Sequence, residues 1–121
     1  MVANVKDKAV IVGIGNTTFS KDSGVSELSL AVQAVKAAID DAGLKPSDID
    51  GMATFTMDTN DEIEVARALG VGELTFYGRS HYGGGAATSC LHQATMAVAT
   101  GMAETVVVYR ALNGRSGHRF S

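Results

Sequence analysis

The chain has 121 residues, 45% of them apolar and 19% charged, and a formal net charge of −3. That balance excludes disorder and suits one folded domain, while the slight negative charge excludes the broad basic face that nucleic acid binding needs. A single cysteine rules out an internal disulfide and a cysteine-based zinc cluster within the chain.

The first apolar run is short and ends in a glycine turn, which is not the form of a secretory leader, so a cytoplasmic location is expected. That run, residues 8–14 with Ala9-Val10-Ile11-Val12 at its centre, reads as a central strand buried on both faces of a parallel sheet. Gly13 and Gly15 invite a dinucleotide reading, but Thr18 stands where the third glycine belongs and a polar loop follows, so a strand-exit turn is favoured.

Residues 23–26 offer caps for a first helix, in which Leu28, Ala31, Val32, Val35, Ile39 and Ala42 fall on one side. Gly43 stops it and Pro46 prevents continuation. Asp40 and Asp41 lie at the end the helix dipole disfavours, so a solvated terminus is expected, with Gln33 and Lys36 facing water. Residues 49–56 read as the next strand. Thr59-Asn60-Asp61-Glu62 has the form of a capping box opening a helix through Ile63, Val65, Ala66 and Leu69 to Gly70. Asp58, Asp61, Glu62 and Glu64 are read as caps and solvated charges rather than metal ligands.

Leu74-Thr75-Phe76-Tyr77 follows as a short strand. From Ser80 to Ala103 there is no Asp, Glu, Lys or Arg. Three glycines open this stretch and small and apolar residues continue it at helix-compatible length, so a helix threaded through the interior is expected, with a glycine loop at its amino end. His92, Gln93 and the threonines argue against a membrane span. His92 is read as a core histidine. Residues 105–109 form the last buried strand, and residues 110–121, with Arg110, Arg115, His118 and Arg119, read as a solvated basic loop. Strand and helix alternate three times before a final strand, which makes the chain α/β with a mainly parallel sheet. Three helices, one of them apolar all round, cannot cover such a sheet by themselves, so the 121 residues are read as part of a larger unit.

The opening Ala-Val-Ile-Val-Gly-Ile-Gly, the helix end Asp-Asp-Ala-Gly-Leu, the entry Asp48-Ile49-Asp50-Gly51, and Ala-Val-Ala-Thr-Gly-Met-Ala before Glu-Thr-Val-Val-Val are similar to thiolase-like proteins. More narrowly, Thr54-Phe55-Thr56-Met57-Asp58-Thr59-Asn60, His81-Tyr82-Gly83-Gly84-Gly85-Ala86-Ala87 and Tyr109-Arg110-Ala111-Leu112-Asn113-Gly114-Arg115-Ser116-Gly117 resemble the steroid side-chain aldolases, thiolase-like enzymes often labelled lipid-transfer proteins. The resemblance covers essentially the whole chain and the amino-terminal portion of such an enzyme. It implies a thiolase-like fold with a buried central helix, pairing as a dimer through the strand Leu74-Thr75-Phe76-Tyr77, and an OB-fold partner domain carried by a hydratase subunit.

Counting back from Ala-Thr-Gly, the thiolase nucleophile position falls at Gly84, within one residue. Cys90 is placed about two turns further along the helix, beyond reach of the terminal N–H groups, and is read as a small buried filler. An acyl-cysteine condensation is thereby disfavoured, and a retro-aldol cleavage of a β-hydroxy acyl-CoA is implied. Such a reaction needs a base for the hydroxyl proton and donors for the enolate oxygen. The N–H groups around Gly83, Gly84, Gly85 and Ala86 are candidate donors and substrate contacts, and His81 and Tyr82 are the local candidates for the base. The family's catalytic tyrosines belong to chain beyond Ser121. No cofactor is implied, since CoA arrives on the substrate, and no metal. A non-catalytic lipid or acyl-CoA carrier, a thiolase acting through Cys90, and a nucleotide-binding module are the alternatives.

Overall fold

In the computed structural model, residues 4–55, 61–80, 85 and 88–114 are described. The elements run α1 (Glu27–Asp41), a 3-10 turn (Pro46–Asp48), β1 (Gly51–Phe55), α2 (Glu62–Leu69), β2 (Phe76–Ser80), α3 (Ser89–Ala99) and β3 (Val106–Val108). The strands form a parallel sheet in the order β2-β1-β3. Its register sets Phe55 beside Ser80 and Ala53 beside Val108, so all three strands finish at one end of the sheet.

β1 is buried along its whole length because helices cover both its faces. Met52 packs with Ala31, Val35 and Ile39 of α1 and with Val65 and Ala66 of α2. Ala53 and Phe55 point the other way, against Cys90 of α3. The chain moves outward from β1 to β2 and then back across to β3, so right-handed crossovers place α2 and α3 on opposite faces.

α1 forms as its periodicity predicts. Ser26 caps it by accepting the Ser29 N–H at 3.1 Å, and Gly43, at φ +71°, turns the chain out in the left-handed region that glycine tolerates. Its carboxyl end is solvated as expected, with Gln33, Lys36, Asp40 and Asp41 all exposed; there Lys36 pairs with Asp40 at 2.9 Å, and Asp41 accepts the Ile14 N–H at 2.9 Å.

Several expectations are corrected. Residues 8–14 form no strand and join no sheet, and Val10, Ile11 and Ile14 are 75–80% exposed. A strand needs a ladder partner as well as an apolar sequence. Here a cavity of about 910 Å³ lies between this segment and β3, floored by Ala34 and Ala38 of α1. The sheet therefore has three strands among the described residues, not four.

The second helix does not use the expected capping box. Its N-cap is Asp61, whose side chain makes no cap hydrogen bond because Arg79 takes it; Thr59 lies outside the described residues. The strand expected at 74–77 is shifted to Phe76–Ser80, although it does lie at the sheet edge. The third helix buries one side, through Cys90, Ala94 and Ala97. Leu91 and Met96 are half exposed and His92 is exposed, so His92 is not a core residue.

Candidate active site

In parallel α/β sheets, ligands collect outside the carboxyl ends of the strands. That end carries the motifs singled out by sequence. Phe55 ends β1 just before residues 56–60, Ser80 ends β2 and is bonded to His81, and the chain leaves β3 through Tyr109 and Arg110. His81, Tyr82, Gly83, Gly84 and Ala86 fall outside the described residues. Gly85 is exposed, with open space where a Cβ would stand, and its carbonyl accepts the Thr88 hydroxyl at 3.0 Å.

At this end of the sheet lies a buried polar cluster built from β1, β2, α3 and Tyr109, the residue that follows β3. The hydroxyls of Ser80 and Ser89 are hydrogen bonded to each other. The Cys90 thiol donates to the Thr54 carbonyl at 3.2 Å and lies 3.2 Å from the Ser80 hydroxyl. Thr54 in turn donates to the Tyr109 carbonyl at 3.3 Å. Ser80, Thr54 and Cys90 are each at most 2% exposed. Burial in such surroundings is tolerable because every one of these groups is hydrogen bonded.

Cys90 needs one correction. It is the second residue of α3, in its first turn, not two turns along. Its burial is as expected, and its sulfur faces β1 rather than an open surface.

Around the cluster two arginines are already engaged. Arg79 binds Glu62 through Nε at 2.9 Å and through a terminal nitrogen at 2.8 Å, and it also binds Asp61. The hydrogen bond the guanidinium donates to Asp61, then those to Glu62, hold it further above its ordinary value. Arg110 lies over the ring of Phe55, 4.9 Å from its centroid. Behind them, Asn113 ties the chain after β3 to the start of α1: its amide donates to the Val25 carbonyl at 2.6 Å and its N–H to Glu27 at 3.2 Å.

Sequence reading missed Ser80, Ser89, Arg79 and Asn113 as organisers of this end. The only signal for the serines is their position, one at each border of the glycine-rich segment. Among the described residues no three His, Cys, Asp or Glu side chains gather as a metal site, and no helix is long and apolar enough to cross a membrane.

Over 113 residues the chain is 65% identical to the 17-hydroxy-3-oxo-4-pregnene-20-carboxyl-CoA lyase of Mycobacterium tuberculosis, a match covering 93% of this chain and 29% of that protein. The chain resembles the steroid side-chain aldolases, on a thiolase-like fold. A steroid side-chain-cleaving aldolase of Thermomonospora curvata is 64% identical over 112 residues, again 93% of this chain and 29% of that protein. Among solved structures, the Ltp2-ChsH2(DUF35) aldolase superposes with a TM-score of 0.86 at 65% identity, over 89% of this chain and 28% of that one. A monomeric SCP2-thiolase like protein type 1 from Mycobacterium smegmatis superposes with a TM-score of 0.67 at 27% identity, over 81% of this chain and 22% of that one. No protein-family model matches. The chain thus spans 29% of the length of the curated aldolase-type relatives.

Proposed function

We propose that this chain belongs to a steroid side-chain aldolase that cleaves a β-hydroxy acyl-CoA by retro-aldol chemistry. The observation that carries the reading is its identity of 65% and 64%, over 93% of its length, to a steroid CoA lyase and a steroid side-chain-cleaving aldolase. The buried thiol of Cys90, turned into the core, supports a reaction without an acyl-cysteine.

In this mechanism a base removes the proton of the β-hydroxyl. The C–O bond becomes a carbonyl, the Cα–Cβ bond breaks, and its electron pair moves onto the thioester as an enolate. Protonation then yields a ketone and a shortened acyl-CoA. Backbone N–H groups around Gly83, Gly84, Gly85 and Ala86 hold the enolate oxygen, where the absence of a side chain lets the thioester approach. His81 and Tyr82 are the local candidates for the base. No resident cofactor enters, since CoA is part of the substrate.

The same reading gives the enzyme a cytoplasmic location and a partner subunit with an OB-fold domain. The paired name of the Ltp2-ChsH2(DUF35) aldolase supports a partner of this kind. A homodimer would form through β2, whose edge position and 66% exposed Tyr77 suit it.

The test is cleavage of a steroid CoA thioester with a β-hydroxylated side chain by the complete polypeptide and its partner. Ketone and shortened acyl-CoA in equal amounts are expected. Binding of the thioester without ketone above control would overturn the proposal in favour of a carrier.

A further inference from the structure

We propose that the open edge of β2 receives β2 of a second copy, antiparallel about a two-fold axis at Gly78, and that the two Gln93 amides pair across that axis. The proposal deepens the homodimer reading above and rests on it.

The ladder with β1 decides which backbone groups of β2 face outward. Phe76 donates its N–H to the Asp50 carbonyl at 3.3 Å, so residues 76, 78 and 80 turn their backbone groups toward β1. Alternation turns the N–H and C=O of Tyr77 and Arg79 away from it, and β2 has no second ladder among the described residues. Such an edge is a template for another strand. An antiparallel copy centred on Gly78 sets Tyr77 opposite Arg79 of the second copy, and Arg79 opposite its Tyr77, so that each pair exchanges both N–H···O bonds. Gly78 then faces its own counterpart in the narrow kind of pair, with Cα atoms about 4.5 Å apart.

Gln93 singles out this register. On the α3 face of the sheet its Oε1 lies 2.7 Å from where a Cβ on Gly78 would stand. That oxygen is buried with no hydrogen-bond partner among the described residues, whereas buried polar atoms are ordinarily satisfied. A carboxamide carries both donors and an acceptor, so an identical group brought alongside satisfies it reciprocally, as a two-fold interface requires. Two glycines facing at short range bring two such amides together, and the broad terminal torsion of glutamine lets them turn into line. Ser89, Gln93 and Met96 share one side of α3, the side toward β2. Met96 is 49% exposed there, and the same approach covers it.

The experiment uses the complete polypeptide with its partner subunit. Under mild oxidation a mixture of Tyr77→Cys and Arg79→Cys proteins should form an intermolecular disulfide, because opposed hydrogen-bonded residues place their Cα atoms about 5.5 Å apart. Tyr77→Cys alone should not, since its two copies stand two residues out of register, beyond the roughly 7 Å a disulfide spans. Cys90 is buried and does not compete. By sedimentation, Gln93→Met, close in size but unable to pair, should raise the dimer dissociation constant about ten-fold without lowering the melting temperature of the dilute, monomeric protein. Gln93→Glu, which sets two carboxylates side by side, should raise it further. If either Gln93 variant fails to fold, the disulfide decides alone. A dimer that lacks the mixed disulfide, or whose constant ignores both Gln93 variants, overturns the Gly78 axis and leaves a homodimer standing. An assembly with one copy of this chain, its β2 edge protected from hydrogen exchange only when the partner subunit is bound, gives the edge to that subunit and overturns both.

Discussion

Asp50 and Thr105 exchange hydrogen bonds in both directions. The Asp50 carboxylate accepts the Thr105 N–H at 2.9 Å, while the Thr105 carbonyl accepts the N–H groups of Asp50 and Gly51 at 3.1 and 3.2 Å. The same carboxylate takes the Glu104 N–H through both oxygens at 2.9 and 3.0 Å. The Asp50 carbonyl accepts from Thr75 at 2.8 Å, so one residue joins the starts of all three strands. Replacing it by alanine removes a charged acceptor from two backbone donors, which should cost about 2 kcal/mol. Urea denaturation measures that loss, and hydrogen exchange should show β3 opening first. Asn at this position, still an acceptor, should lose about half as much.

Gly13 and Gly15 lie on the backbone of α1. A Cβ on Gly13 would stand 2.4 Å from the Ala38 carbonyl oxygen, and one on Gly15 would stand 2.4 Å from the Ala38 nitrogen. Backbone cannot give way as a side chain tip can, so Gly15→Ala should lift the segment off the helix and break the Ile14 to Asp41 hydrogen bond. Limited proteolysis should then cut within residues 8–20 several-fold faster than in wild type, with a stability loss of about 1–3 kcal/mol by urea titration. Equal cleavage rates would show that the segment is not held by this contact.

What the sequence made legible follows from how local each cause is. α1 could be read because Ala31, Val35 and Ile39 repeat at helical spacing and Ser26 and Gly43 punctuate its ends within the same stretch. The parallel order of β1, β2 and β3 follows from their alternation with helices. Residues 8–14 misled because an apolar run reports a tendency to be buried, whereas entering a sheet requires a neighbouring edge; the space toward β3 is a cavity instead. The capping box misled because Arg79, distant in sequence, recruits Asp61 and Glu62. His92 was misplaced because a charge-free stretch says nothing about which side of α3 meets the sheet. The pairing of Ser80 with Ser89 is a fold-level contact between two common residues and leaves no mark in composition.

Cys90 is the chain's only thiol and is 2% exposed. A sulfur packed on β1 and donating to the Thr54 carbonyl at 3.2 Å is shielded from reagents by the same contacts that hold α3. The native protein should react with a disulfide reagent such as dithionitrobenzoate at least about a hundred-fold more slowly than the urea-unfolded chain, as protection through an opening equilibrium requires. Incubation with the acyl-CoA substrate should leave Cys90 unacylated by intact-mass and peptide analysis. A thioester on this residue would instead assign it a nucleophilic role.

Arg79 joins the end of β2 to the start of α2 through Asp61 and Glu62, and its hydrogen bonds to them raise its affinity for the proton. Because the folded state holds that proton more tightly than the unfolded chain, the contribution is complete at neutral pH. It is lost only as the solution rises through the guanidinium range, so the pH dependence of stability between about pH 6 and 9 should not change when Arg79 is replaced. The side chain is 36% exposed, which screens the ion pairs, so Arg79→Ala should cost about 1 kcal/mol rather than several. Arg79→Lys should recover little of it, since an ammonium cannot present two nitrogens to Glu62 as the guanidinium does. Thermal melts of the three proteins at low and high salt check both points: the gap between wild type and Arg79→Ala should narrow as salt rises, and a salt-independent gap would mean that packing of the arginine stem, not charge, holds α2 to β2.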